Sequence, residues 1–561
     1  MRMRHLVVLV IALATAPGAA GAATPAATCM RASGNAATRC LDRYTDVVAR
    51  CRAHRDAACE AAARADGGAL DVALARIAGP DANACTDDSS APLDYTSAAD
   101  VVVRGSEGCA DFAEDWLDLA FGSSVSGALL SCQHEVAHQL GRLRDATVRL
   151  EGARCYLPAY RGEGCDRTRR DARLAAARDR ARHRIGEACG TAFDALGLGS
   201  LDDTIDDVFG HARHFAQLVY PPEDLGPTAD PGPYPVGVRT LMLFDSSRLN
   251  VAGTGPRPVT VEVYYPSTTA AVAGVPRDVV SVLGVPVVET RSFRDVAIAQ
   301  GPFPLVLFSH GNDGIRFQSF FFASHLASHG YVVVCPDHHG NTFVDALLGI
   351  VDPNVIVNRP LDMSFLIDQF SAFTAQTGNT FDGAIDTTRI GASGHSFGGY
   401  TVFAIAGGTS PLGTFTDPRV RAILPQAPAA PFPPEFFGTI AIPTLILGGS
   451  IDETAPFDSQ QLAPFQALPS GAAVVGLGEL TGAGHFTFSD FCEVQRDLLA
   501  FLGGFDEACQ PRHLPWRRAH DIVNYLSLNF FDAVLRGDAA ALGRLDPQVV
   551  AGIEDLTVWR K

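Results

Sequence analysis

The stretch from Arg389 to Ala406 limits what this 561-residue chain can fold into more than any other. The apolar run Ile390-Gly391-Ala392-Ser393 leads into Gly394-His395-Ser396-Phe397-Gly398-Gly399, and the apolar helical run Tyr400 to Ala406 follows at once. A strand, a sharp turn and a helix in that order put Ser396 in a strained backbone conformation at the end of a sheet. Side chains at 394 and 398 would strike neighbouring backbone, which accounts for glycine at both, and Gly399 lets the helix pack closely. A serine presented this way is a candidate nucleophile.

Around this turn, short aliphatic runs alternate with helical segments: Val259 to Tyr265, Leu305 to Phe308, Tyr331 to Val334, Ala422 to Leu424 and Thr444 to Leu447. Such alternation predicts a mostly parallel sheet with helices on both faces. With the serine turn it predicts an α/β-hydrolase fold. In that fold an acid and then a histidine follow the serine along the chain. The run Ile442 to Leu447 ends in Gly448-Gly449-Ser450-Ile451-Asp452, and Ala473 to Leu477 is followed by Gly482-Ala483-Gly484-His485-Phe486. A serine hydroxyl needs a base, and the base needs an acid to hold its tautomer. Ser396, Asp452 and His485 are therefore the expected catalytic set, with Glu453 expected to face solvent.

The negative oxygen formed in acyl transfer needs two aimed N–H groups. Phe397, directly after the nucleophile, is expected to supply one. Asn312, in the turn Ser309-His310-Gly311-Asn312-Asp313 after the run Leu305 to Phe308, is expected to supply the other. Of the aromatic run Phe317, Phe320, Phe321 and Phe322, the first two are candidates for an apolar acyl site, against the plainer role of a buried helix face. His395 and His310 read as structural; His338 and His339 border the expected site without a carboxylate cluster to suggest metal; His513 and His520 read as surface or packing residues.

The start of the chain has the pattern of an export signal: Arg2 and Arg4, the apolar stretch Leu6 to Ala16, and Ala20-Gly21-Ala22 as a cleavage site. Residues 1–22 are thus expected to be removed, and no later run is long and apolar enough for a transmembrane anchor. Of the 13 cysteines, ten fall between Cys29 and Cys189, followed only by Cys335, Cys492 and Cys509. In an oxidising compartment, secreted or periplasmic, the ten can pair among themselves and Cys492 with Cys509, leaving Cys335 as a buried thiol. Residues 23–219 are Ala- and Arg-rich with helical spacing, and the cysteine intervals 29 to 51, 59 to 85, 109 to 132, 132 to 155 and 165 to 189 suggest stapled helical-hairpin repeats. The prolines of residues 220–235 predict a linker, and residues 236–561 the catalytic domain. A formal net charge of -18 argues against a nucleic-acid partner. The arginines between Arg142 and Arg184 fit a solvated helix face better than a docking face for an acidic partner.

The segments PLVLFSHG (304–311), GHSFGG (394–399), 443–456 and 482–488 resemble bacterial dienelactone-hydrolase-like esterases, plasma-type platelet-activating-factor acetylhydrolase and cutinase-like polyester hydrolases. The resemblance covers residues 236–542. It implies hydrolysis of short-acyl, lipid-like or polymeric esters through an acyl-enzyme, with no cofactor. Dienelactone hydrolases proper carry cysteine where Ser396 stands. The acetylhydrolases carry their acid one strand earlier, where this chain has Gln426-Ala427-Pro428, so Asp452 matches the polyester-hydrolase pattern.

A second motif competes. His134-Glu135-Val136-Ala137-His138 is an H-E-x-x-H sequence on an expected helix, the pattern of a zinc peptidase. Arg144 stands where an extended motif would place a third histidine, leaving Glu151 or Glu163 as substitutes. The helical half is thus either a metallopeptidase or a non-catalytic docking module of unknown partner, and the residues favour no metal there.

Overall fold

The structure, a computed structural model, describes residues 25–54, 56–65, 67–77, 85–86, 98–121, 129–159, 164–220, 225–410, 413–493, 509 and 513–561. The expected export signal lies outside the described residues, as do 221–224 of the expected linker.

Ten strands form one sheet: β1 (Val236–Leu249), β2 (Pro256–Pro266), β3 (Phe293–Arg294), β4 (Phe303–Ser309), β5 (Val332–Pro336), β6 (Ile385–His395), β7 (Val420–Gln426), β8 (Thr444–Gly449), β9 (Val475–Leu480) and β10 (Leu556–Arg560). Their spatial order is β10-β9-β8-β7-β6-β4-β5-β2-β1-β3. From β9 to β5 every neighbouring pair is parallel, while β2 and β10 run against their neighbours. Strands β4, β5 and β8 are buried at every position, as strands covered on both faces must be. Alternate residues serve opposite cores: Leu305 and Leu307 pack on one face, Val306 and Phe308 on the other. Because the parallel strands share one direction, their carboxyl ends line one edge, where loops from separate strands converge.

Residues 25–219 contribute helices and no strand among the described residues: α1 (Pro25–His54), α2 (Ala57–Arg64), α3 (Ala69–Ile77), α4 (Ala98–Phe121), α5 (Leu129–Val148), α6 (Arg167–Cys189) and α7 (Leu201–Val219), besides short turns. Disulfides join Cys29 to Cys85, Cys40 to Cys109, Cys51 to Cys59, Cys132 to Cys189 and Cys155 to Cys165, with Cys492–Cys509 beyond the sheet's β9 and Cys335 a buried free thiol. None of the five similar cysteine intervals is closed by a bond. Helix α6 shows why its arginines are numerous: Leu174, Ala177, Ala181 and Ile185 form its buried stripe, and the opposite face is wet. Arg178 and Arg182 there are neutralised by Asp206 and Asp202 of α7. Arg170 is different, being buried and paired with Glu151 and with Glu554, which precedes β10. Arg213 of α7 adds Asp555 to the same cluster, so charges of the helical half meet the loop at the sheet's edge.

Candidate active site

Ser396 links β6 to helix α8 (Phe397–Ile405) with φ 56 and ψ −118, a conformation that non-glycine residues seldom hold. Its surroundings impose it. A Cβ at Gly394 would lie 2.4 Å from the Gly398 carbonyl oxygen, and one at Gly398 would lie 1.9 Å from the Ser309 carbonyl oxygen. The turn is then tied down, since the Ser396 N–H donates to Gln426 O at 3.0 Å while its carbonyl accepts from Gly399 and Ala429. The side chain, at the carboxyl end of a central strand, meets the loops that follow β8 and β9.

Those loops are fastened to each other. The Ile451 N–H donates to Ala483 O, the Gly482 N–H donates to Ser450 Oγ, and a Cβ on Gly449 would strike Ala483 O at 2.2 Å. Asp452 accepts from the Thr454 and Ala455 amides on Oδ1, which leaves Oδ2 to accept from His485 Nδ1 at 2.8 Å. On the far side of the ring, Ser396 Oγ donates to His485 Nε2 at 2.8 Å. Ser396, Asp452 and His485 are all buried, whereas Glu453 is exposed. The three residues expected from their order along the chain are therefore brought into one hydrogen-bonded row.

His395 has a structural part in this row: its Nε2–H donates to the His485 carbonyl at 2.9 Å, and its Nδ1 accepts from Gln318 Nε2 at 2.8 Å. Burial pushes its imidazole well below the usual range, so the neutral ring needed for one donor and one acceptor is the stable one. Gln318 uses its other end to accept from the Gly311 N–H at 3.1 Å. That loop runs beside Ser396, since a Cβ on Gly311 would stand 3.4 Å from Ser396 Cβ. Next in the chain, the Asn312 backbone N–H carries no hydrogen bond among the described residues, and neither does the backbone N–H of Phe397 at the start of α8.

Phe320 lies in the wall of a cavity of about 580 Å³ with Trp516 and His520, whose lining contains none of Ser396, Asp452 and His485. Phe317 is half-buried and carries the Arg316 guanidinium over its ring at 5.1 Å. Beside the His485 ring stand those of His395, at 4.8 Å between centroids, and Phe486, at 5.3 Å. His513 and His520 are both buried, so their part is packing rather than surface.

A second row of the same composition stands behind the first. Ser309 Oγ donates to His338 Nε2 at 2.9 Å, and His338 Nδ1–H donates to Asp362 Oδ2 at 2.9 Å. All three are wholly buried, and Ser309 Oγ also accepts from Arg359, so this serine faces a cation rather than a cleft. Burial and the Arg359 charge push His338 down to about 3. The sequence placed His338 at the border of the site but did not reveal its pairing with Ser309 and Asp362. The signal was there, however: Arg359 and Asp362 interrupt the buried stripe of the helix Val355–Ala375, which Met363, Leu366, Ile367 and Phe370 otherwise keep apolar.

In the helical half, His134 and His138 are exposed, and Glu135 accepts from Gln139 Nε2 at 2.8 Å. Arg144 is buried against Trp116 and bonded to Asp42, and Glu151 is taken up by Arg170 and Tyr156. Glu163 lies outside the described residues. No cluster of three metal-binding side chains occurs among the described residues. No helix among them is long and apolar enough to cross a membrane.

The sheet order, with a serine turn after its central strand and acid and histidine loops after the strands beyond it, defines an α/β hydrolase. Comparison with known proteins narrows the class. A family model described as PET hydrolase-like matches residues 313–502, and one for platelet-activating factor acetylhydrolase, isoform II, matches residues 269–347. Cutinase 1 of Thermobifida cellulosilytica is 26% identical over 181 residues, 32% of this chain and 60% of that protein. The cutinase of Thermobifida fusca (strain YX) is 26% identical and cutinase est1 of Thermobifida alba 28%, each over 181 residues. The chain thus spans only 52% and 53% of the length of these two. A solved ferulic acid esterase from Streptomyces cinnamoneus superposes with a TM-score of 0.45 at 24% identity, over 58% of this chain and 96% of that one. The chain is an α/β hydrolase similar to cutinase-like and platelet-activating-factor-acetylhydrolase-like esterases.

Proposed function

We propose that the protein is a secreted serine hydrolase of carboxylic esters, acting through an acyl-enzyme on Ser396. The observation that carries this reading is the row Ser396, His485, Asp452 at 2.8 Å per step, with the serine on a strained turn. His485 takes the Ser396 proton as the hydroxyl attacks the ester carbonyl, and later gives it to the leaving alcohol. Asp452 holds Nδ1 protonated and stabilises the imidazolium. The amides of Asn312 and Phe397 receive the oxyanion. Water then repeats the sequence and releases the acid.

Similarity to cutinases and to a PET hydrolase-like family favours polymeric or short-acyl esters as substrates. Six disulfides favour an oxidising compartment, in keeping with the export signal read at residues 1–22. Residues 236–561 carry the chemistry in this reading, and the helical half docks the enzyme rather than cleaving peptides. The test is a panel of chromogenic esters of graded acyl length, run beside Ser396→Ala, together with a fluorophosphonate probe. Wild type turns over esters and is labelled at Ser396 alone; turnover that survives Ser396→Ala refutes the assignment.

A further inference from the structure

The fully buried side chain of Arg359 joins the two walls from which the oxyanion is to be held. Toward the loop after β4, Nη1 donates to Gly311 O at 3.2 Å and to Asn341 Oδ1 at 2.6 Å, while Nη2 donates to Ser309 Oγ at 3.0 Å and to His310 O. Toward α8, Nε donates to Thr401 Oγ1 at 3.1 Å, and the guanidinium lies over the Phe397 ring, 4.8 Å from its centroid. All five acceptors are neutral. A guanidinium is costly to bury without a carboxylate in contact, and burial indeed pushes this one down to about 9. An aliphatic residue would fill such a place more cheaply if only packing mattered.

What the arginine holds is specific. A trans peptide is planar, with its C=O and N–H pointing in opposite directions, so fixing Gly311 O fixes the direction of the Asn312 N–H. His310 Nδ1–H grips the same oxygen at 2.7 Å from the other side, and its Nε2 accepts from the His338 amide, which sets the tautomer. The second arm acts on the Asn312 side chain: Asn341, which accepts from Arg359, donates through Nδ2 to Asn312 Oδ1 at 2.9 Å. The third reaches Phe397 through its ring and through Thr401, whose hydroxyl donates to the Phe397 carbonyl at 3.1 Å. Behind them the hydrogen bonds run one way, from Arg359 to Ser309 to His338 to Asp362, and Asp362 is itself clamped by Arg257 at 2.8 and 2.9 Å.

We propose that Arg359 is the positioning residue of the oxyanion site, holding the Gly311–Asn312 peptide and the first turn of α8 in one rigid frame. It touches neither substrate nor nucleophile, and it acts through the two amides. The inference rests on Ser396 being the nucleophile.

The test uses the full-length enzyme with Arg359→Met and Asn341→Ala, each checked for its melting transition, on a matched pair of substrates, an ester and its thionoester. Sulfur is a poor occupant of an oxyanion site, so a working site favours the ester strongly. Misplacing the amides should lower kcat for the ester by about a hundredfold in Arg359→Met and by about tenfold in Asn341→Ala, with KM changed little. The ratio of ester to thionoester turnover should fall with kcat. If Arg359→Met does not fold, Asn341→Ala decides alone. A folded variant that keeps the wild-type ratio overturns the proposal, whether or not its kcat falls. Loss of the underlying reading looks different: wild type then lacks esterase activity, or Ser396→Ala retains it.

Discussion

Replacing Asp452 by asparagine should disable the enzyme through a single proton in the wrong place. Oδ1 of Asp452 accepts from two backbone amides, Thr454 at 2.9 Å and Ala455 at 2.7 Å. Those two donors demand an acceptor, so the amide oxygen of an asparagine must take the Oδ1 position and its NH₂ group the Oδ2 position. There the NH₂ faces His485 Nδ1, which can remain bonded only as an acceptor. The proton moves to Nε2, the nitrogen that must accept from Ser396. In serine proteases the corresponding change costs about 10⁴ in kcat through the same tautomer, or about 5 kcal/mol of barrier. Here kcat should fall at least about a hundredfold with KM nearly unchanged. Glu453→Gln is the matched control, since that side chain is exposed beside the same loop, and it should stay within about twofold of wild type. Steady-state kinetics on a chromogenic ester decide. If the two variants exchange ranks, or if Asp452→Asn remains near wild type, Asp452 does not orient His485.

Other outcomes follow from burial and pairing. His325, His338 and His520 are each pushed down to about 3 by burial, from an ordinary value of 6.5, so the unfolded chain binds protons there that the folded one refuses. Their contribution is complete above about pH 6.5 and is lost as pH falls toward about 3. Urea unfolding between about pH 7 and about pH 4 should therefore show falling stability, and a flat profile would contradict the burial of these rings. Thiol titration should find one reactive group, Cys335, and only after unfolding, because the other twelve cysteines are paired; a thiol reactive in the native protein would contradict its burial. Chelators, and replacement of His134 and His138 by alanine, should leave ester turnover unchanged, because serine catalysis needs no Lewis acid; zinc retained by wild type and lost from that variant would reinstate the metallopeptidase reading.

Much of the sheet could be read because its central strands are buried on both faces and so appear as unbroken aliphatic runs, as in Leu305 to Phe308. The outer strands hid for the converse reason. Strand β1 alternates buried and exposed positions, its apolar run Leu241 to Phe244 being flanked by Arg239, Asp245 and Ser247, and β10 is a five-residue edge with Thr557 and Trp559 facing out, so neither reads as a strand buried on both faces. Ser396, Asp452 and His485 were legible because each stands just beyond a strand, and the shared direction of those strands brings their ends together. Gln318, Arg359 and Asp362 were not, because partners 24 to 105 residues apart meet only through the topology. Helix spacing does not say which way a helix is turned, so the sequence did not reveal that Phe320 lies in the wall of a cavity with Trp516 and His520.

The disulfides divide the helical half into two closed sets: every bond made by a cysteine up to Cys109 stays among the first six, and every bond from Cys132 to Cys189 stays among the next four. Ten cysteines free to mix would have roughly 950 possible pairings, whereas sets of six and four have 15 and 3, or about 45 together. During synthesis the first six cysteines all precede the next four, so the partition that the finished bonds describe is also the order in which the growing chain presents them. A pairing error within one set then leaves the other untouched, and an oxidant that acts early on the emerging chain has far fewer wrong answers to undo than one acting on the full-length reduced protein.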